Sequence, residues 1–294
     1  MTGESRARFQ IHATPRLEAP VLVVALEGWV DAGLGAANAV AALTDDDSSL
    51  LLVTFDNDHF VDQRARRPIV RIVDGITTEL TWPCIQIRHD HDDDGADVLY
   101  LTGPEPDYHW RDLVDDVVDL ARSYGARMVV GLGAFPAPAP HTRPVRLAAT
   151  APAASAALLA RVGIVPGELT VPAGFTSALE LALGNVDVPV VTLWARVPHY
   201  VAAMPFPAAS AALVEGLASV TGLAFDSSSL RADADRARRR VDELVAPNRD
   251  HLTMVRKLEE AIDASEGNAL GLESLPSEDE LAAELERFLR GEDH

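Results

Sequence analysis

Residues that crosslink a fold or bind soft metals are scarce in this sequence. Cys84 is the only cysteine among 294 residues, which excludes an intramolecular disulfide, disfavours a thiolate metal site and fits a reducing cytoplasm. Aromatic residues make up only 5% of the chain, so alanine, valine and leucine must fill its core.

Positive charge is scarce as well. The chain has 25 lysine and arginine residues against 45 aspartate and glutamate residues, which gives a net charge of −20 at pH 7. Such a surface repels phosphate groups. We therefore expect no nucleic acid partner, and no membrane partner for the same reason.

Long apolar stretches are missing from the sequence. The longest runs, such as residues 21–26, are far shorter than the roughly 20 residues that a transmembrane helix needs. The first ten residues are polar and lack the apolar centre of a signal peptide. The expected location is the cytoplasm.

Apolar runs alternate with helical repeats along the first 225 residues. A strand buried on both faces is predicted at residues 21–26, followed by a glycine-rich turn, a helix at 36–43 and a strand at 50–55. This order predicts an α/β fold with a mixed, largely parallel sheet flanked by helices. Further strands are predicted at 98–102, 128–132 and 188–194, helices at 108–124, 151–161, 176–183 and 207–221, and a hairpin within 69–87 around Asp74-Gly75.

Composition changes near residue 226, which divides the chain into four predicted parts. An α/β core spans residues 8–225, and a C-terminal helical extension, a helical hairpin broken at Pro247, spans 226–264. A linker at 265–276 leads to an amphipathic helix at 277–290, which opens with a capping box from Ser277 to Glu280. So short a helix must dock on its own core, on a neighbouring subunit or on a partner.

A glycine-rich loop follows the first strand and includes Glu27, Gly28, Asp31 and Gly33. Loops at this position bind phosphates in many α/β folds. Here Leu34 stands where a P-loop has its lysine, and no dinucleotide-binding glycine pattern is complete. We favour a tight turn that allows close packing over a ligand cradle.

Two further loops carry histidine and arginine. The first, in a proline-rich segment, contains His141, Thr142 and Arg143, and the second contains Arg196, His199 and Tyr200. Each follows a predicted strand, where clefts form in open α/β sheets. We favour rigid interface loops, with the alternative that arginine holds an anion while histidine moves a proton.

An acidic segment from His89 to Asp94 alternates histidine and aspartate like a metal cluster. A loop rarely aims such ligands at one point without supporting contacts, so we favour a solvated acidic turn. No Gly-x-Ser-x-Gly motif is present. The sequence therefore predicts no catalytic residue, no metal site and no cofactor.

Several stretches in fixed order resemble bacterial members of the proteasome assembly chaperone-two superfamily, over about residues 8–262. These stretches are Glu27-Gly-Trp-Val-Asp-Ala-Gly33, Pro140-His-Thr-Arg-Pro144, Gly174-Phe-Thr-Ser-Ala-Leu-Glu180 and Leu193-Trp-Ala-Arg-Val-Pro-His-Tyr-Val201. The resemblance implies a nucleoside-phosphorylase-like core, homo-oligomers with a trimer as one form, and binding to proteasome-like particles without catalysis. The last four residues lack the hydrophobic-Tyr-any-residue tail by which relatives dock on the proteasome, so docking through such a tail is not expected.

Three hypotheses follow. The favoured one is a non-enzymatic, protein-binding assembly factor that works as a homo-oligomer. The alternative is an enzyme that binds a small molecule, either a nucleoside or an anion, on a phosphorylase-like core. A third is a scaffold whose terminal helix only seals its own oligomer.

Overall fold

The computed structural model describes residues 7–28, 30–44 and 49–267. The strands in these ranges are β1 (Phe9–Ile11), β2 (Val21–Glu27), β3 (Leu50–Phe55), β4 (Ile69–Val73), β5 (Ile76–Thr81), β6 (Gln86–His91), β7 (Asp97–Pro104), β8 (Met128–Ala137), β9 (Leu147–Thr150) and β10 (Val190–Pro198). The α-helices are α1 (Gly35–Leu43), α2 (Asn57–Phe60), α3 (Trp110–Ser123), α4 (Phe175–Gly184), α5 (Pro207–Thr221), α6 (Ser228–Val245) and α7 (Arg249–Gly267). Short 3-10 helices cover Ala32–Leu34, Ala153–Arg161 and His199–Val201.

Eight strands form one mixed sheet in the order β1-β3-β6-β7-β2-β8-β10-β9. The four strands β7, β2, β8 and β10 run parallel at its centre. The strands at both margins pair antiparallel. The predicted α/β class, with a mixed sheet flanked by helices, is confirmed.

Strand β2 explains why the centre of the sheet is so apolar. Val21 and Val23 face a layer formed by α1, α5, α6 and α7, whereas Leu22 and Val24 face a layer formed by α3 and α4. All four side chains are fully buried. A strand covered on both faces needs a continuous apolar run rather than alternation, which is what the sequence shows.

The two central strands that precede the candidate loops are longer than predicted. β8 continues to Ala137 and β10 to Pro198, and residues 133–137 pair with 194–198. Beyond Gly131, β8 pairs with β10 alone, apart from one bridge from Asp31 to Ala134. This edge-like position tolerates Pro136, which the sequence interpretation took as evidence of a loop.

Helix α3 begins two residues later than predicted, at Trp110. The Asp107 carboxylate before it accepts hydrogen bonds from the Asp62 amide (2.8 Å) and Arg66 Nε (3.3 Å). Two other local predictions differ from the structure. The helix predicted at 151–161 is a 3-10 helix, a difference that apolar spacing does not resolve. His89 and His91 lie in β6 rather than in a turn.

The helices α6 and α7 follow the core directly and are joined by residues 246–248. Their buried side chains, among them Leu230, Val241 and Val255, belong to the same apolar layer as α1 and α5. α7 runs through Gly267, three residues into the predicted linker at 265–276. The rest of that linker and the predicted helix at 277–290 lie outside the described residues. None of the described helices has the length and apolar character to cross a membrane.

The strands β4 and β5 form a separate two-stranded sheet, which confirms the predicted hairpin. Its turn places Asp74 and Gly75 at positive φ, 50° and 80°. Both residue types are common at such turns. Every residue of both strands is exposed.

Candidate functional site

The proline-rich loop between β8 and β9 places His141 against the helical extension. The His141 side chain is only 1% exposed. Its Nδ1 lies 2.7 Å from the Tyr200 hydroxyl, and its Nε2 lies 3.0 Å from Asp242 Oδ1 in α6. The Tyr200 hydroxyl also accepts a hydrogen bond from the His141 backbone N–H at 2.8 Å. The loop, the 3-10 helix after β10 and α6 therefore meet at one imidazole.

The hydrogen bonds around His141 are consistent with one arrangement of protons. The Tyr200 hydroxyl accepts from the backbone amide and donates its own proton to Nδ1. Nε2 then carries the ring proton and donates to Asp242. Burial raises the pKa of Tyr200 to about 12, so its hydroxyl keeps the proton at neutral pH. Both ring nitrogens are engaged, which suits His141 to positioning the loop rather than to proton transfer.

Arg143, in the same loop, is paired with two acidic residues of α7. Its Nε and Nη2 donate to the two carboxylate oxygens of Asp263 at 2.9 and 2.7 Å, and Nη1 donates to Glu259 at 3.1 Å. Thr142 donates its hydroxyl proton to the same Glu259 oxygen. The hydrogen bond to Asp263 raises the pKa of Arg143 and lowers the pKa of Asp263. The anion that Arg143 binds thus belongs to its own chain.

The second candidate loop is divided between two environments. Tyr200 joins His141, as described, and the rings of His199 and Tyr200 meet edge to face at 5.3 Å. Arg196 lies inside β10 and not in a loop, because the strand extends to Pro198. Its Nη2 donates to the Ile164 carbonyl at 3.3 Å, and burial lowers its pKa. The structure therefore brings together His141, Thr142, Arg143 and Tyr200, whereas Arg196 contacts the segment after β9.

Three acidic residues of this site, Asp242, Glu259 and Asp263, were missed by the sequence interpretation. Glu259 and Asp263 are four residues apart, so they share one face of α7. This acidic pair on an otherwise amphipathic helix could have been recognised in the sequence as a candidate contact site. Its arginine partner could not have been predicted, because 120 residues separate Arg143 from Asp263.

The glycine-rich loop after β2 packs tightly and caps its own helix. The Asp31 carboxylate accepts hydrogen bonds from the amides of Ala36 (2.7 Å) and Ala37 (3.0 Å) at the start of α1. These amides are the donors that a bound phosphate would need. Gly33 has a φ of 65°, and a Cβ there would lie 2.7 Å from the Phe206 Cβ. The contacts support the tight-turn interpretation. At Gly28, just after Glu27, φ is 125° and a Cβ would meet the Arg66 guanidinium.

A small cavity lies where the central parallel strands end. Its volume is about 30 Å³, and its lining includes Leu26, Glu105, Gly133, Ser177 and Trp194. Burial raises the pKa of Glu105, although its carboxylate accepts a 2.6 Å hydrogen bond from the Phe175 amide. Small-molecule pockets are typically about 300–1,000 Å³. This cavity has room for one or two water molecules and not for a nucleoside.

Comparison with known proteins finds a matching family and solved structures of similar fold. The PAC2 family matches residues 25–245 of the chain. A Mycobacterium tuberculosis proteasome-assembly chaperone homologue is 35% identical, with a TM-score of 0.73 and coverage of 80% of this chain and 99% of that one. A PAC2 family protein from Streptomyces avermitilis is 30% identical, with a TM-score of 0.71 and coverage of 81% and 99%. A Corynebacterium glutamicum protein of unknown function is 29% identical, with a TM-score of 0.82 and coverage of 90% and 99%. No curated protein matches the chain.

Proposed function

Because the chain belongs to the PAC2 family, we propose that it is a non-enzymatic, protein-binding factor of the proteasome-assembly-chaperone type that acts as a homo-oligomer. The family supports a chaperone-like role for the chain. The oligomer, the proteasome-like partner and a cytoplasmic location are parts of the proposal.

The observation that carries the proposal is the exposed apolar hairpin formed by β4 and β5. It presents large apolar side chains at 43–74% exposure, namely Ile69, Val70, Ile72, Val73, Ile76 and Leu80. A two-stranded hairpin is marginally stable by itself in water. Covering the exposed half of one such side chain contributes on the order of 1 kcal/mol. A patch of this kind is typical of a protein interface.

A second exposed apolar segment supports a ring-shaped oligomer. Residues 162–174, between the 3-10 helix after β9 and α4, expose Ile164, Val165, Leu169 and Val171. The hairpin lies between α2 and β6 in the chain, and the groove at its base is lined by Phe9 of β1 and by Trp82. The segment 162–174 instead follows β9, the strand at the other edge of the sheet. A cyclic trimer needs two different surfaces that bind each other. We propose that the β4–β5 hairpin of one subunit binds the 162–174 segment of the next.

The groove at the base of the hairpin offers polar contacts to a partner. It has a volume of about 780 Å³, and its lining includes Phe9, Asn57, Gln63 and Trp82. The lining also includes the polar side chains of Gln10, Thr54 and Asp58, which can contact a partner.

The oligomer is tested by placing a charge in the hairpin. Ile76, 67% exposed, is changed to aspartate, and molar mass is measured by light scattering after size exclusion. We expect an oligomer for the wild type and a smaller species for Ile76→Asp. Leu181→Asp, at 66% exposure on α4, is the matched control and should leave the mass unchanged. A wild-type monomer would contradict the proposal.

The proteasome-like partner is tested separately. Purified 20S core particle is mixed with the full chain at physiological salt, and co-sedimentation is measured. Co-sedimentation that Ile76→Asp weakens supports the partner. Its absence removes the partner from the proposal and leaves the oligomer to the preceding test.

The alternative of a nucleoside- or anion-binding enzyme is not proposed. Arg143 is bound by Asp263 and Glu259, and Asp31 occupies the first amides of α1. The cavity at the strand ends is too small for a nucleoside. The predicted anion-binding groups are therefore occupied by the chain itself, since Arg196 also donates to the Ile164 carbonyl, and the cavity is too small.

A further inference from the structure

A second cluster of titratable side chains lies at the end of the sheet opposite to the His141 loop. His89 and His91 are two residues apart in β6, so both side chains stand on the same face of the strand. Asp97, the first residue of β7, is the register partner of His91. Because β6 continues through His91, the strand aims two imidazoles at one cross-strand carboxylate.

The distances within this cluster suit a small metal ion. Asp97 Oδ1 lies 2.7 Å from His89 Nε2 and 3.4 Å from His91 Nε2. Nitrogen and oxygen ligands about 2.0–2.1 Å from a tetrahedral ion lie roughly 3.3 Å from each other. The His91–Asp97 pair already has this spacing, and the His89–Asp97 pair reaches it by opening about 0.6 Å.

One ligand of the cluster is held by a backbone amide, the second is buried and the third is open to solvent. The Glu18 amide donates to Asp97 Oδ2 at 2.7 Å, which fixes the carboxylate and leaves Oδ1 facing the histidines. His89 has a side chain only 10% exposed, whereas that of His91 is 53% exposed. Supported ligands beside a solvent-facing position are typical of metal sites that retain a water ligand.

The charge around the cluster also favours a cation. Asp90, Asp93 and Asp94 lie in the same strand-and-turn segment, on a chain with a net charge of −20. Asp92 has a different role, because its carboxylate accepts hydrogen bonds from the amides of Ala96 (2.7 Å) and Ala224 (2.8 Å). The ligand set therefore remains two imidazoles and one carboxylate.

A comparable group, His59, His109 and Asp112, is less suited to an ion. The rings of His59 and His109 are stacked at 4.1 Å with an interplanar angle of 13°. Imidazole lone pairs lie in the ring plane, so stacked rings do not aim them at one point. Arg8 lies 3.2 Å from Asp112, and its charge repels a cation.

We propose that His89, His91 and Asp97 bind a divalent first-row transition-metal ion, best matched by Zn²⁺, with solvent completing the coordination. Two imidazoles and a carboxylate suit Zn²⁺ and its neighbours in the series. Mg²⁺ and Ca²⁺ prefer all-oxygen sites and do not match this ligand set.

The test is isothermal titration calorimetry of the full chain with ZnCl₂ at pH 7.5. We expect a site with one Zn²⁺ per chain that excess Mg²⁺ does not displace. His91→Ala, an exposed position whose loss should not disturb folding, should weaken that site at least tenfold. His109→Ala is the matched control, since His109 is 54% exposed and belongs to the other histidine cluster.

Three outcomes overturn the proposal. In the first, the wild type binds no Zn²⁺ up to 100 µM. In the second, His91→Ala binds Zn²⁺ as tightly as the wild type does. In the third, His109→Ala loses the site. Asp97→Asn gives a second check in the same titration, after thermal melting has shown that it folds. Zn²⁺ binding to Asp97→Asn with wild-type affinity would also count against the site.

Discussion

Replacing Tyr200 with phenylalanine tests whether His141 joins the core to its helical extension. The change removes one oxygen and leaves the ring, so it opens no large cavity. It breaks the hydrogen bonds of that hydroxyl to the backbone N–H and to Nδ1 of His141, at 2.8 and 2.7 Å. His141 is buried, and a buried polar group left unpaired costs about 1–3 kcal/mol. We expect the free energy of unfolding to fall by about that amount.

The assay is urea denaturation followed by circular dichroism, with hydrogen exchange as a local measurement. A thermal melt gives a second readout, because for 294 residues each kcal/mol corresponds to a fall of about 1.6 °C in Tm. Amide protection in α6 should fall more than in β2, because His141 also donates to Asp242 in α6. Tyr108→Phe is the matched control, since that hydroxyl is exposed and bonds Asp62 at the surface. Equal stability of the two variants would refute the reasoning.

The fold was largely predictable because its strongest signal is local. The apolar run in β2 and the helical repeat of apolar residues in α3 each lie within one short segment of the chain. Together they indicate the α/β class. The turn at Asp74-Gly75 is equally local. By contrast, β9 is an edge strand of only four residues, and its pairing with β10 depends on a partner more than 40 residues away.

The candidate site was predictable only in part, because its contacts are long-range. The sequence singled out His141, Arg143 and Tyr200 as unusual loop residues, and the structure joins them through α6 and α7. Nothing in the spacing of His141 indicates that Asp242, 101 residues later, will occupy its Nε2. The same limit explains why the sequence predicted an acidic turn and no metal site. The local pattern from His89 to Asp94 omits Asp97, the proposed ligand from the neighbouring strand.

Substitutions at two further positions, Asp31 and Glu180, test a helix cap and a buried carboxyl group. Asp31→Ala removes the acceptor for the Ala36 and Ala37 amides, so the free energy of unfolding measured by urea denaturation should fall by about 1 kcal/mol. Asp31→Asn keeps an acceptor and should lose less stability. Equal losses in the two variants would contradict the capping role. Glu180 is buried, and burial raises its pKa despite hydrogen bonds from the hydroxyls of Thr192 and Thr150. The folded state therefore holds the Glu180 proton more tightly than the unfolded state does. Its contribution to stability is fully present below the unfolded-state pKa of about 4.3 and is lost as pH rises through the folded pKa. Glu180→Gln has no such proton, so its Tm should rise relative to the wild type between pH 5 and pH 7. A Tm difference that stays constant over this range, or changes in the opposite direction, would show that the Glu180 carboxyl is not held in its protonated form.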